Sequence, residues 1–351
     1  MKKIKKGKLM IIATIISLLA VSCKNNTSSV NITGAGATFP QPFYSIVFKK
    51  FYDETHNKVT YGGIGSGGGI NSLKEGVVDF AGSDAYLSDE EMAEIGDVFH
   101  IPTCMGAVVV AYNLPGIQEL NLTGELVAQI FAGEISYWDD EQIQVINEGV
   151  ALPHKKISPV YRSDGSGTTF VFTDYLSKVS EDWKNRFGFG KAVSFPTGIA
   201  AKGNTGIAGV LSQTEGTIGY IGSEYAFAQQ LTYANLQNQS GKFVKPSAAS
   251  ISAAAQGEIP EDMRCMITNS EIPDAYPISL FTWIIVKKDL NNGKRTPMEA
   301  EGIKEMLRFI ISDDMQKISE QIHYAPLPKA VQTQAFKNID NIQYSVSEST
   351  K

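Results

Sequence analysis

Short apolar runs alternate with helix-periodic stretches from about residue 30 almost to the end of this chain, and that alternation restricts it to the α/β class. Strands are expected at 30–33, 59–61, 77–81, 105–112, 157–161, 218–221 and 279–286. The run at 105–112, with valines at 108, 109 and 110, is apolar throughout and reads as a buried strand of the parallel-sheet kind. Helices are expected at 42–54, 70–75, 124–132, 168–176 and as one long element over 301–323. Phe43, Tyr44, Phe48 and Phe51 recur at helical spacing and are expected in the core. Ser88 with Glu91 makes a candidate capping box for a helix reaching about residue 95. Residues 238–247 read as an exposed loop.

The first 22 residues stand apart from this pattern. Five lysines (2, 3, 5, 6 and 8) precede an apolar run from Leu9 to Val21, too short to span a bilayer comfortably and laid out like a signal peptide. Ala20 and Ser22 before Cys23 resemble a bacterial lipobox, so Cys23 is expected to carry lipid and begin the mature chain, with 24–29 as a polar tether. Ordinary cleavage with a free thiol is the alternative. Removing five lysines and no acids takes the formal charge from −6 to −11, which argues against nucleic acid as a partner. The remaining length suffices for two domains. Cys104 and Cys265 are read as free thiols, although an exported chain permits a bridge. Four scattered histidines give metal binding no support.

Three segments share one design, a strand, a turn of small residues, then a helix: TGAGATFP at 33–40, GGIGSGGG at 62–69 and YRSDGSGTT at 161–169. Each sets a hydroxyl (Thr38, Ser66, Ser166 with Thr168) near a helix N-terminus, where first-turn N–H groups are unpaired and the helix dipole is positive. Three such turns, with Arg162 beside one, point to a shared anion site. Blander readings exist for each part. Thr38 serves equally as a plain N-cap, Arg162 as a solvated partner of Asp164, and Asp84 as a turn residue. GIGSGG at 63–68 also satisfies G-x-G-x-x-G between a strand and a helix, so an extracytoplasmic enzyme acting on a nucleotide or phosphate ester is the rival class. An export signal and the motif's place after the first βα turn weaken it. A hydrolase is weaker still, because neither Ser66 nor Ser166 lies in G-x-S-x-G and no histidine flanks either turn.

At these turns the chain resembles the substrate-binding proteins of bacterial phosphate ABC transporters. The resemblance spans nearly the whole mature length: TGAGATFP (33–40), GIGSGG (63–68), VDFAGSDA (78–85), YNLP (112–115), LTG (122–124), ISYWD (135–139), RSDGSGT (162–168), GNTG (203–206), Gly219-Tyr220 and YAPLP (324–328). It implies a two-lobed periplasmic-binding-protein fold of type II, with the ligand cleft between lobes, no cofactor and no catalysis. Lobe 1 is expected to comprise 30–103 plus 279–346 and lobe 2 to comprise 104–278, with crossings near 103–105 and 276–279. The implied contacts with inorganic phosphate are Thr38, Phe39 through its N–H, Ser66, Asp84, Arg162, Ser166, Gly167 and Thr168, with Asp164 orienting Arg162. The implied partners are the permease subunits of a phosphate ABC transporter, and the implied place is the periplasm or cell surface, anchored to a membrane through Cys23. One departure is Gly67, where the family often has serine.

Overall fold

The computed structural model describes residues 29–291 and 295–345, so the signal segment and Cys23 lie outside the described residues. Its strands are β1 (Asn31–Gly36), β2 (Lys58–Gly63), β3 (Phe80–Ser83), β4 (Val98–Tyr112), β5 (Asn121–Leu122), β6 (Ser158–Arg162), β7 (Ile199–Ala201), β8 (Thr217–Gly222), β9 (Thr232–Tyr233), β10 (Asn235–Gln237), β11 (Phe243–Val244) and β12 (Ser279–Lys287). The main sheet runs β2-β1-β3-β12-β4-β8-β6-β7, with β9 also on β4, and a small sheet joins β11, β10 and β5. Strands β1, β2 and β3 are parallel to one another, as are β6, β7 and β8. These two parallel sets form the two lobes.

Strand β4 joins them. It pairs with β12 from Val98 to Ala107 and with β8 from Val108 to Tyr112. The change of partner falls at Ala107/Val108, a little beyond the expected crossing, and Val108 N–H bonds to the Ile278 carbonyl just ahead of β12. Every residue of β4 except Phe99 is buried, as its apolar run requires, but all its partners are antiparallel. Burial on both faces, rather than strand direction, is what the sequence pattern records.

The helices place their apolar faces against this sheet. Phe43, Tyr44, Val47, Phe48 and Phe51 form the buried face of the helix Gln41–Thr55, which ends at His56 in the left-handed region. The capping box of Ser88 and Glu91 is present on the helix Asp89–Ile95. The expected long C-terminal helix is two, Pro297–Ile310 and Asp313–Gln321, broken at Ser312 with acids in the second helix's first turn. A further helix, Lys329–Asp340, follows Pro328. The expected loop at 238–247 contains β11, which pairs with β10. Cys104 and Cys265 are both free thiols, the first buried and the second partly so.

Candidate functional site

All three strand–turn–helix junctions end at the seam between the lobes. In the first, β1 leads through Thr38 and Phe39 to the helix Gln41–Thr55, whose N-cap is Pro40 and has no side-chain bond. Thr38 is therefore not a helix cap. Its Oγ1 accepts from the Asn204 backbone N–H (3.1 Å) and from Asn204 Nδ2 (3.0 Å), across the seam. Tyr225 Oη donates to the Thr38 carbonyl and Tyr324 Oη to the Phe39 carbonyl, both at 2.6 Å. With both carbonyls held, the N–H groups of this turn have fixed directions. Phe39 itself is fully buried, edge-on to Tyr324 with centroids 5.5 Å apart, a contact worth about 0.5–1.5 kcal/mol beyond its area.

In the second junction Ser66 opens the helix Ser66–Lys74, and its Oγ accepts from Gly167 N–H (3.1 Å) and Asp84 N–H (3.4 Å). In the third, Ser166 caps the helix Gly167–Val179 by accepting from Thr169 N–H at 3.1 Å. Arg162, the last residue of β6, donates from Nε to Asp164 Oδ1 (2.8 Å) and from Nη2 to Oδ2 (2.5 Å), and its Nη1 reaches Thr168 Oγ1 at 3.4 Å. The two side chains are 1% and 9% exposed, so the pair is not a solvated surface bridge. Burial alone would raise the Asp164 carboxyl, but the bonds and charge of Arg162, with the Gly203 N–H, outweigh it and hold it below the usual carboxylate range.

Asp84 is no exposed turn residue either. It is 1% exposed, and it accepts from Thr282 Oγ1 (2.9 Å) and from Thr168 Oγ1 (3.3 Å) of the opposite lobe. Burial pushes its carboxyl up to about 7, against the pull of Thr282, Arg162 and Thr168. A path of hydrogen bonds and peptide links thus runs Thr38–Asn204–Gly203–Asp164–Arg162–Thr168–Asp84–Ser66–Gly167. Every contact residue expected from the sequence lies on this path or is bonded directly to a residue on it.

The chemistry available is that of a buried set of anion donors: amide and hydroxyl groups at helix ends, one guanidinium largely balanced by Asp164, and one carboxyl that accepts or donates according to its protonation. Among the described residues no histidine hydrogen-bonds to Ser66 or Ser166. The glycine-rich turn at 63–68 serves the approach of the lobes. Gly67 N–H bonds to the Gly165 carbonyl (2.9 Å), and Gly65, at φ +87°, faces Asp164 where a Cβ would lie 2.5 Å from Oδ2. The sequence reading gave no role to Asn204, Tyr225, Thr282 or Tyr324. Two of them stood in quoted motifs, GNTG and YAPLP, but their work is to hold the turn at Thr38 and Phe39 from far along the chain.

Residues 24–314 match the family model for the PBP superfamily domain, and the chain belongs to that superfamily of two-lobed binding proteins. Within it, the chain belongs to the family of the phosphate-binding protein PstS. It is 40% identical to the PstS of Xylella fastidiosa strain 9a5c over 307 residues, 86% of this chain and 83% of that one. It is 38% identical to the PstS of Pasteurella multocida over 327 residues, 92% of each. The fold also matches a solved phosphate-binding protein from Stenotrophomonas maltophilia, with a TM-score of 0.68 at 19% identity, covering 88% of this chain and 94% of that one.

Proposed function

We propose that this chain captures inorganic phosphate outside the cytoplasm and delivers it to the permease of a phosphate ABC transporter, as a binding protein and not as an enzyme. The observation that carries the reading is the convergence of three helix-end turns, from both lobes, on the Asp84–Thr168–Arg162 network. Thr38, Phe39, Ser66 and Asp84 supply the contacts of one lobe, and Arg162, Ser166, Gly167 and Thr168 those of the other. An oxyanion between them favours the closed form, because only there does it meet both sets of donors. The permease then reads the closed form. The basic and apolar leader, with Cys23 at its end, supports export and a lipid anchor in the periplasm or at the cell surface. Among the described residues no helix is long and apolar enough to cross a membrane.

Titration calorimetry with phosphate, dinucleotides and phosphate esters tests the function, and mass spectrometry of the mature N-terminus tests the anchor. One phosphate bound per chain and a lipid-modified Cys23 are expected. Tight binding of a dinucleotide, or steady hydrolysis of an ester, would overturn the reading.

A further inference from the structure

Glu224 takes no part in the network above, yet it lies beside it. It belongs to the helix Ser223–Ala228, which follows β8 at the point where Gly222 pairs with Val108 and β4 changes partner. It is 4% exposed, and neither Oε1 nor Oε2 has a hydrogen-bond partner; the adjacent Ser223 Oγ is also buried and unpartnered. The side chain folds back over Gly222, where a Cβ would lie 2.2 Å from Oε1.

The groups that face it offer no compensation. Asp84 acts on it from the first lobe, and its own charge acts on Tyr324, on Cys104 of β4 and on the neighbouring Tyr225. None of these is a cation. The helix Gly203–Gln213, packed against the same element, carries no ionisable side chain. Arg162 acts on Asp84 and Tyr225, but its guanidinium is bonded to Asp164. Burial, then the negative charge of Asp84, hold the Glu224 carboxyl well above the usual range; its own backbone N–H pulls the other way without making a hydrogen bond. An ionised carboxylate without a partner is not stable in such a place, so the closed form carries Glu224 protonated.

The seam around Glu224 exists only while the lobes are together. Tyr225, next to it in the chain, and Asn204, whose Oδ1 accepts from Gly222 N–H, bond to Thr38 of the first lobe, and those bonds must break when the lobes part. Water then reaches the carboxyl, which ionises at neutral pH as an ordinary glutamate does. We propose that Glu224 limits the affinity of capture and couples it to protons: it must be carried uncharged and unpaired into the seam at each closure, and it ionises again at each opening. The proposal rests on the phosphate-binding reading and adds to it a group that opposes retention. The sign follows from linkage. A carboxyl raised in the closed form favours closure at low pH, and that advantage is lost as pH rises from the ordinary glutamate range through the raised value. Opening at the permease would be helped by the same ionisation.

Calorimetry at about pH 8, repeated in buffers of different ionisation heat, gives both the affinity for inorganic phosphate and the protons taken up per phosphate. Glu224→Gln is expected to bind phosphate roughly tenfold tighter than wild type and to take up fewer protons. Equal affinity with an equal proton count would overturn the proposal, as would weaker binding with the count unchanged, which is the mark of a purely structural residue. If Glu224→Gln does not fold, Glu224→Met, uncharged and of similar length, carries the same two expectations. A wild type that binds no phosphate fails the parent reading instead, and is told apart by its flat titration.

Discussion

Hydroxyls, amides and a guanidinium donate to any small oxyanion, whereas an ionised carboxylate such as Asp84 only accepts. Phosphate near neutral pH carries a proton through which it would donate to Asp84 Oδ; sulfate carries none and would leave a buried acceptor facing an unprotonated oxygen. A site built on a polar partner rejects the analogue lacking it by about 10⁴–10⁵ in enzyme cases. Here the rejection should depend on pH, because burial sets the Asp84 carboxyl at about 7. Below that value Asp84 is protonated and donates, so sulfate finds a partner; above it Asp84 accepts, and sulfate is excluded. Sulfate is therefore expected to compete with phosphate better at about pH 6 than at about pH 8. Asp84→Asn, which donates at any pH, should lose most of the discrimination and its pH dependence. Competition binding on both proteins, at both values, is the measurement.

The elements that carry these residues differ in how far they were legible. Local signals survived intact: the Ser88–Glu91 capping box, the aromatic face of Gln41–Thr55 and the three strand–turn–helix junctions were all readable from neighbours within a few residues. The first half of β4 was not, because His100, Pro102 and Thr103 interrupt its apolar run. The fold accommodates them through a register shift opposite Thr282 and Trp283, a bond from Leu87 N–H to His100, and bonds of Thr103 with Tyr44 and Thr282. The break at Ser312 was visible in retrospect, since Ser-Asp-Asp is a helix start, but continuous helical periodicity outweighed it. Asn204 and Tyr324 act on Thr38 and Phe39 across 166 and 285 residues, a distance no local pattern encodes. Helix ends meeting across the seam also explain a glycine. A Cβ on Gly167 would lie 2.4 Å from Ser66 Oγ and 2.8 Å from Asp84 Cβ. Gly167→Ala should fold, since the clash exists only when the lobes meet, yet overpacking of about 1–3 kcal/mol should weaken phosphate binding roughly five- to 150-fold. Calorimetry beside a ligand-free melting curve separates the two effects.

At the scale of the whole molecule, closure is held by contacts that lie outside the phosphate network. Lys191, from the second lobe, reaches both carboxylate oxygens of Glu91 on the first, at 2.6 and 2.7 Å. Both ends are tied to functional elements. The Lys191 carbonyl accepts from Ser166 N–H at 2.8 Å, and Glu91 closes the capping box on Ser88. The side chains are 16% and 34% exposed, so water screens the pair only in part. The Lys191–Glu91 pair spans the two lobes, so its loss should speed release rather than slow capture. A partly exposed ion pair is worth up to about 1 kcal/mol. Lys191→Met is therefore expected to raise the phosphate off-rate about fivefold, to leave the on-rate nearly unchanged, and to reduce the salt dependence of affinity. Stopped-flow release at low and high salt measures all three. The double variant with Glu91→Gln should add little to Lys191→Met, because once one partner is gone the pair no longer exists to be broken. An unchanged off-rate in Lys191→Met would mean that the seam network alone holds the lobes together.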